Sequence, residues 1–550
     1  RRLVFVVNEP DPRDPKDEDS PAGADKKKTP PPIVIDRYHF KEDVQGYLRN
    51  ERTHLYLFDL ATKKADVLTP GTLFDESSPA WSPDGTRIAF VSKRGTGDLD
   101  RNNNTDIWVI EAKPGAQARQ VTTSPNPEQG PLSWSPDGTQ IAYAVGDELK
   151  YSAYNQTRLA VVPAAGGQPR ILAQSLDRPV RAPRWSKDGA SLTFVVVDDR
   201  SQYPARVTLT APEKVERLSA PKAVIGNLSD GPNDGAFAVL STTDTQPPEV
   251  AAFEPGSPAG SRAGQLRRLS HRNDEWMSRL LLGATEEFTS ASKDGTEVHG
   301  LIEKPVTFRP GVKYPTLLRI HGGPNGQDEH AFSFERELFA ANGYVVVSVN
   351  YRGSSGRGSA YQKAIFADWG DKEVVDLLGA MDYVQKLEYV DSSRLGIGGW
   401  SYGCILTDYT MATDDRFRAA TCGAGSALQL TMYGVDEYIS QYENELGPPW
   451  KSQDLWIKLS YPFFHADRIH TPTLFLGGER DFNVPLVGGE QMYQALRSLG
   501  VDTQLVIYPN QFHGITTPSY KVDRYQRYLD WYAKHLKSEK PVNIPSTSGK

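Results

Sequence analysis

Leu395-Gly396-Ile397-Gly398-Gly399-Trp400-Ser401-Tyr402-Gly403 is the stretch that decides the fold of the C-terminal half. Its apolar, glycine-rich opening followed by Gly-x-Ser-x-Gly predicts a strand, a sharp turn and then a helix, the form of a nucleophile elbow. A serine hydroxyl is a poor nucleophile at neutral pH, so it needs an exposed position, a base within hydrogen-bond reach and donors for the developing oxyanion. Glycines on both sides of Ser401 let the backbone turn tightly without a Cβ clash. In a chain with 47 glycines the pentapeptide alone is a weak signal, and an ordinary strand-to-helix turn competes with it.

Candidates for an acid and a base follow in the order Ser, Asp, His that an α/β-hydrolase arrangement requires. Asp481 closes the apolar stretch Thr473-Leu474-Phe475-Leu476-Gly477-Gly478 and its loop, with Glu479 as its nearest rival. His513 lies in Asn510-Gln511-Phe512-His513-Gly514, just after a second apolar strand, Gln504-Leu505-Val506-Ile507-Tyr508. Taken singly, each is more simply a loop residue; three hits in the required order, each at a strand end, reverse those odds. The oxyanion donors are expected from Gly322 or Gly323, after the strand Pro315-Thr316-Leu317-Leu318-Arg319-Ile320, and from the backbone N–H of Tyr402.

The N-terminal half carries a repeat. Trp81-Ser82-Pro83-Asp84-Gly85 returns as Trp134-Ser135-Pro136-Asp137-Gly138 and as Trp185-Ser186-Lys187-Asp188-Gly189, with a degenerate fourth copy around Asn233-Asp234-Gly235-Ala236-Phe237-Ala238. A period of about fifty residues built of short strands around an Asp-Gly turn predicts propeller blades, each aromatic wedging between neighbouring sheets. Leu3-Val4-Phe5-Val6-Val7 and Thr53-His54-Leu55-Tyr56-Leu57-Phe58-Asp59 read as strands of a further blade, for about five units in all. The stretch from Glu9 to Pro32, rich in Pro, Asp and Lys, reads as a mobile excursion. Entry in mid-blade suggests a propeller incomplete at its N-terminus, as either a small ring or a shortened version of a longer one. Near residue 285 the pattern changes to buried strands alternating with amphipathic helices, the mark of a mostly parallel sheet with helices on both faces. The expected division is a β-propeller over 1–284, an α/β-hydrolase domain over 285–538 and a polar tail over 539–550.

Composition fits a large soluble enzyme: 550 residues, 38% hydrophobic and 24% charged, enough for two or three domains. No apolar run approaches membrane-spanning length. A formal charge of −7 argues against a nucleic-acid partner, and Lys26-Lys27-Lys28 beside several acids reads as a solvated loop. Cys404 and Cys422 cannot make a disulfide framework or a four-ligand metal site, and free buried thiols are expected, a bridge being the disfavoured alternative. The 10 histidines are scattered without ligand spacing, so no metal and no cofactor is implied. The chain begins at Arg1 with no signal-like apolar segment, which leaves the compartment open between cytoplasm and export; homo-oligomerisation is likewise open.

With the Trp-Ser-Pro-Asp-Gly units, His321-Gly322-Gly323-Pro324, Asn350-Tyr351-Arg352-Gly353-Ser354, the elbow, Asp481 and Phe512-His513-Gly514, nearly the whole chain resembles the prolyl oligopeptidase family of serine peptidases. The His-Gly-Gly-Pro form is most similar to the acylaminoacyl-peptidase branch, and Gly-Trp-Ser-Tyr-Gly is also similar to the dipeptidyl-peptidase branch. The resemblance implies a propeller capping the hydrolase domain, hydrolysis of short peptides, and a role for Tyr402 in lining the pocket for the residue before the scissile bond. Cys404 stands where relatives commonly carry glycine, and Arg357 where they often place an aromatic, so pocket preferences do not transfer directly. Arg352 and Arg357 are candidates for substrate contact, against the plainer reading of structural pairing within their loop. A dipeptidyl peptidase would also need paired carboxylates aimed at the substrate amine, and no such pair is identifiable in the sequence. A carboxylesterase with the same triad is the alternative activity, and a propeller scaffold with a decayed hydrolase domain the non-enzymatic one.

Overall fold

Each Ser-x-Asp-Gly unit builds its own hairpin turn. Ser82 Oγ donates to Asp84 Oδ1 at 2.6 Å and the Thr86 N–H to the same oxygen at 3.0 Å; Ser135 with Asp137 and Ser186 with Asp188 repeat the first bond at 2.6 Å. Gly85, Gly138 and Gly189 follow at φ 67°, 68° and 71°, left-handed positions that favour glycine. The computed structural model describes residues 1–10, 32–95, 98–220, 222–231, 235–256 and 264–537. The segment 11–31 with Lys26-Lys27-Lys28, the first two residues of the fourth repeat copy (Asn233-Asp234) and the tail from 538 lie outside the described residues.

These turns join antiparallel strands. Arg2–Glu9, Arg52–Asp59 and Ala65–Val67 form a three-stranded sheet; Glu76–Trp81 to Arg119–Gln120 and Glu128–Trp134 to Arg170–Leu172 form four-stranded ones. A further eight strands between Val180 and Arg268 make two antiparallel groups joined by one parallel pairing, Gln202 with Val224. That gives five antiparallel units among the described residues. The repeat tryptophans tie one unit to the next: Trp134 Nε1 donates to the Ala80 carbonyl at 3.0 Å, and Trp185 Nε1 to that of Ser133 at 3.1 Å. A tryptophan buried between sheets needs such an acceptor for its one polar atom.

From Thr285 the chain builds a single eight-stranded sheet: β1 (Thr285–Ala291), β2 (Glu297–Glu303), β3 (Tyr314–Ile320), β4 (Val345–Asn350), β5 (Val390–Trp400), β6 (Ala419–Gly423), β7 (Thr473–Gly478) and β8 (Thr503–Tyr508). Their spatial order is β1-β2-β4-β3-β5-β6-β7-β8, antiparallel at the β1 and β2 edge and parallel from β4 onward. Parallel strands need crossovers and coverage on both faces, which is why β4, β6 and β7 are buried along their whole length. The main crossovers run through α1 (Phe334–Ala341), α2 (Lys372–Val384), α3 (Tyr402–Thr413) and α4 (Val487–Ser498), and α5 (Pro518–Leu536) closes the layer. The carboxyl ends of β3, β5, β7 and β8 therefore open on one rim. Among the described residues no helix is long and apolar enough to cross a membrane.

One expectation is corrected here. Cys404 and Cys422 are joined in a disulfide with their Cα atoms 4.7 Å apart, and are not free thiols. Cys422 lies opposite Gly399 in the β5–β6 register, and the first turn of α3 folds back over that pair, bringing Cys404 onto it. Cys404, Asp408 and Cys422 are also the one cluster of metal-ligating groups among the described residues, and the bridge occupies both sulfurs.

Candidate active site

Ser401 stands between β5 and α3 at φ 61°, ψ −129°, a conformation almost confined to glycine. Such strain persists only where the surroundings over-determine it. Here the Ser401 N–H donates to the Gly423 carbonyl of β6 at 2.9 Å, and its own carbonyl accepts from Cys404 and Ile405 at 2.8 and 3.2 Å. The flanking glycines are required by close approach: a Cβ on Gly399 would lie 2.6 Å from the Ile320 carbonyl, and one on Gly403 would overlap the same oxygen. The elbow is thus wedged against the end of β3.

That end of β3 carries the expected oxyanion loop. A Cβ on Gly322 would sit 3.1 Å from Ser401 Cβ and 3.0 Å from the Trp400 carbonyl, so a side chain there would crowd the elbow. Gly323 follows at φ 130°, and the Tyr402 N–H heads α3. His321 turns its ring away, with Nδ1 2.8 Å from the Gly322 carbonyl and Nε2 2.9 Å from Ser354 Oγ. Tyr351 stacks on that imidazole at 4.5 Å, and its hydroxyl donates to the His321 carbonyl at 2.8 Å. The Asn-Tyr-Arg-Gly-Ser segment therefore braces the His-Gly-Gly-Pro loop.

His513 Nδ1 lies 2.9 Å from Asp481 Oδ2, while Asp481 Oδ1 accepts the N–H groups of Asn483 and Val484 at 3.0 and 2.8 Å. Burial pushes the Asp481 carboxyl upward, and the bond to His513 pulls it back in part. The imidazole is seated against the elbow: Trp400 Nε1 donates to the His513 carbonyl at 3.1 Å, and the two rings are 6.3 Å apart. Glu479, the rival acid, instead accepts from the Asn510 N–H at 2.9 Å and ties the two loops together from outside.

Beside Ser401 and Tyr402 opens a cavity walled chiefly by Tyr154, Trp369, Met432 and Tyr442. Asp436 is the only carboxylate lining it among the described residues; burial pushes this group up to about 7, against hydrogen bonds from the Tyr442 hydroxyl and the Tyr438 N–H. Tyr402 reaches below the elbow, its hydroxyl donating to Glu373 Oε1 at 2.7 Å. Tyr154 comes from the N-terminal region and donates to Glu445 Oε1 at 2.6 Å, an oxygen that Trp369 Nε1 also reaches at 2.7 Å. Sequence reasoning missed Tyr154, Glu373 and Glu445, because contacts between residues 29 to 291 positions apart leave no local pattern.

Arg352 and Arg357 stand apart from this cavity. Arg352 is buried between Asp376 and Asp294, with contacts of 2.8 and 2.6 Å. Arg357 donates to the Glu297 carbonyl and stacks its guanidinium over Tyr361 at 4.7 Å. Arg352 thus pairs with α2 and the β1–β2 turn, and Arg357 with the first residue of β2, each outside its own loop.

Residues 330–539 match the prolyl oligopeptidase family. The uncharacterized peptidase YuxL of Bacillus subtilis is 27% identical over 92% of this chain and 78% of its own length. Dipeptidyl-peptidase 5 of Porphyromonas gingivalis is 26% identical over 83% of this chain; the chain spans 66% of that relative and 65% of dipeptidyl-peptidase 5 from Aspergillus fumigatus. Among solved structures, an acylaminoacyl peptidase in complex with Z-Gly-Gly-Phe-chloromethyl ketone superposes with a TM-score of 0.81 at 21% identity, over 98% of this chain and 80% of that one. The acylaminoacyl peptidase of Pyrococcus horikoshii gives 0.80 at 20% identity, over 99% and 81%.

Proposed function

We propose, from the premise that this chain carries a prolyl oligopeptidase family domain of serine-type peptidase, that it hydrolyses short peptides through an acyl-enzyme on Ser401. The observation that carries the reading is the strained elbow at Ser401 with the hydrogen-bonded His513–Asp481 pair seated against its neighbour Trp400. His513 takes the serine proton as Oγ attacks the carbonyl carbon, and Asp481 fixes the Nδ1–H tautomer and stabilises the imidazolium. The oxyanion is held by the backbone N–H of Tyr402 and one of the Gly322–Gly323 pair, where the glycine backbone lies close against Ser401. The imidazolium then protonates the leaving amine, and water enters by the same route in reverse to release the acid.

The aromatic cavity supports a large apolar side chain before the scissile bond, a preference that the Phe of the chloromethyl ketone bound to the acylaminoacyl peptidase also suggests. The five antiparallel units are read as propeller blades capping the site, which favours short substrates over folded proteins. Turnover of peptidyl-nitroanilides with Phe, Leu, Lys or Glu at the cleaved position, beside simple nitrophenyl esters and with Ser401→Ala as blank, tests this. Preferred, Ser401-dependent cleavage of the Phe and Leu amides is expected. Cleavage of esters alone would make the protein a carboxylesterase.

A further inference from the structure

The loops of the acid and the base are touched by a segment more than four hundred residues upstream. Between the first two long strands of the N-terminal region, Lys41–Glu42 pairs with Gly46–Tyr47 in a small hairpin. Its tip carries Asp43. The Asp43 carboxylate accepts from the backbone N–H of His513, at 3.3 Å to Oδ1 and 3.2 Å to Oδ2, and from that of Phe482 at 3.2 Å. The first is the base itself and the second follows the acid directly.

A second path reaches the same place. The Asp43 N–H donates to Glu437 Oε2 at 2.6 Å, Glu437 Oε1 accepts from Asn483 Nδ2 at 2.7 Å, and the Asn483 N–H bonds Asp481 at 3.0 Å. An aromatic contact closes the joint: Tyr47 packs edge-on against Phe482 at 5.5 Å, and Lys41 lies over Phe482 while donating to the Val435 carbonyl at 2.9 Å. Behind the hairpin, Arg37 grips Asp100 through two bonds of 3.0 and 2.7 Å and reaches the Arg49 carbonyl at 2.6 Å. Val44, at the tip beside Asp43, is held at φ 68° although it is β-branched and well exposed. Strain of that kind survives where contacts on both sides impose it.

We infer that Asp43 is a positioning residue for the acid–base pair. The inference rests on the assignment of Ser401, Asp481 and His513 above. A carboxylate accepting both backbone N–H groups sets the two loops at a fixed separation, and so sets the aim of the imidazole.

The test uses the full chain with a peptidyl-nitroanilide substrate, in the variants Asp43→Ala, Asp43→Asn and Arg37→Ala. Asp43→Ala is expected to lower kcat by roughly tenfold to a hundredfold with KM within about twofold, the range of a misaimed base. Asp43→Asn, which keeps one acceptor oxygen for the two N–H groups, should recover part of kcat. Arg37→Ala, which loosens the hairpin from behind, should lower kcat in the same direction and decides the matter where Asp43→Ala does not fold. Wild-type kcat in these variants would overturn the clamp and leave the peptidase reading intact. The rate of fluorophosphonate labelling at Ser401 is followed in the same series. Its absence in the wild-type protein would sink the assignment of the triad and the inference with it.

Discussion

Glu373→Gln separates a buried titration from everything around it. Glu373 lies in the first turn of α2 with no exposed surface, accepting from the Tyr402 hydroxyl at 2.7 Å on Oε1 and from the Gly370 N–H at 3.1 Å on Oε2. Burial carries its carboxyl from the ordinary 4.5 to about 8; the hydrogen bonds pull the other way without winning. Between those two values the folded protein holds a proton that the unfolded chain has released. The stabilisation is therefore fully present below pH 4.5 and is lost as the pH rises through about 8. At about 1.4 kcal/mol per unit, the window is worth on the order of 3–5 kcal/mol as an upper bound. Glutamine cannot ionise, and it keeps an acceptor for Tyr402. Its amide nitrogen, however, would face the Gly370 N–H, a mismatch costing about 1 kcal/mol at every pH. Urea unfolding midpoints measured from about pH 5 to about pH 9 should show the variant less stable at the acid end and more stable at the alkaline end, with the two curves crossing. A constant offset over the whole range would refute the reasoning, since Glu373 would then not titrate in the folded state within that window.

Gly403→Ala places a methyl group on the Ile320 carbonyl, so the elbow must shift; a loss of at least about a hundredfold in activity is expected, seen equally in Ser401 labelling. Trp134→Phe removes the bond to the Ala80 carbonyl and should cost about 1 kcal/mol, against about 3–5 kcal/mol for Trp134→Ala, both read from chemical unfolding. Reduction of the Cys404–Cys422 bridge opens a loop with a sequence separation of 18 and should lower stability by about 3 kcal/mol, measured as a fall in Tm on adding a thiol reductant; an unchanged Tm would show the bridge to be energetically idle.

What could be read from the sequence was whatever is fixed locally. Gly399 and Gly403 mark the elbow because a side chain at either would strike Ile320, and Ser82 with Asp84 marks a turn because the two close it between themselves. Burial on both faces made β4 and β7 legible as mostly apolar runs. Glu479 and Asp481 are not separable by type, since both follow β7 two residues apart; the direction of the loop alone hands one to Asn510 and the other to His513. The Cys404–Cys422 bridge depends on which side of α3 meets β6, and nothing in the spacing states that. Tyr154 and Asp43 reach the site from the other region of the chain, so their part is written in the docking of one region on the other and not in any motif.

The central claim is a serine made nucleophilic by His513, and covalent capture tests it most directly. The full chain is treated with a fluorophosphonate, digested, and its adduct mapped by mass spectrometry, beside His513→Ala and Ser401→Ala. The account predicts one stoichiometric adduct on Ser401, slowed at least about a thousandfold in His513→Ala and absent in Ser401→Ala. An adduct on another residue, or labelling of Ser401 at the same rate without the imidazole, would contradict it.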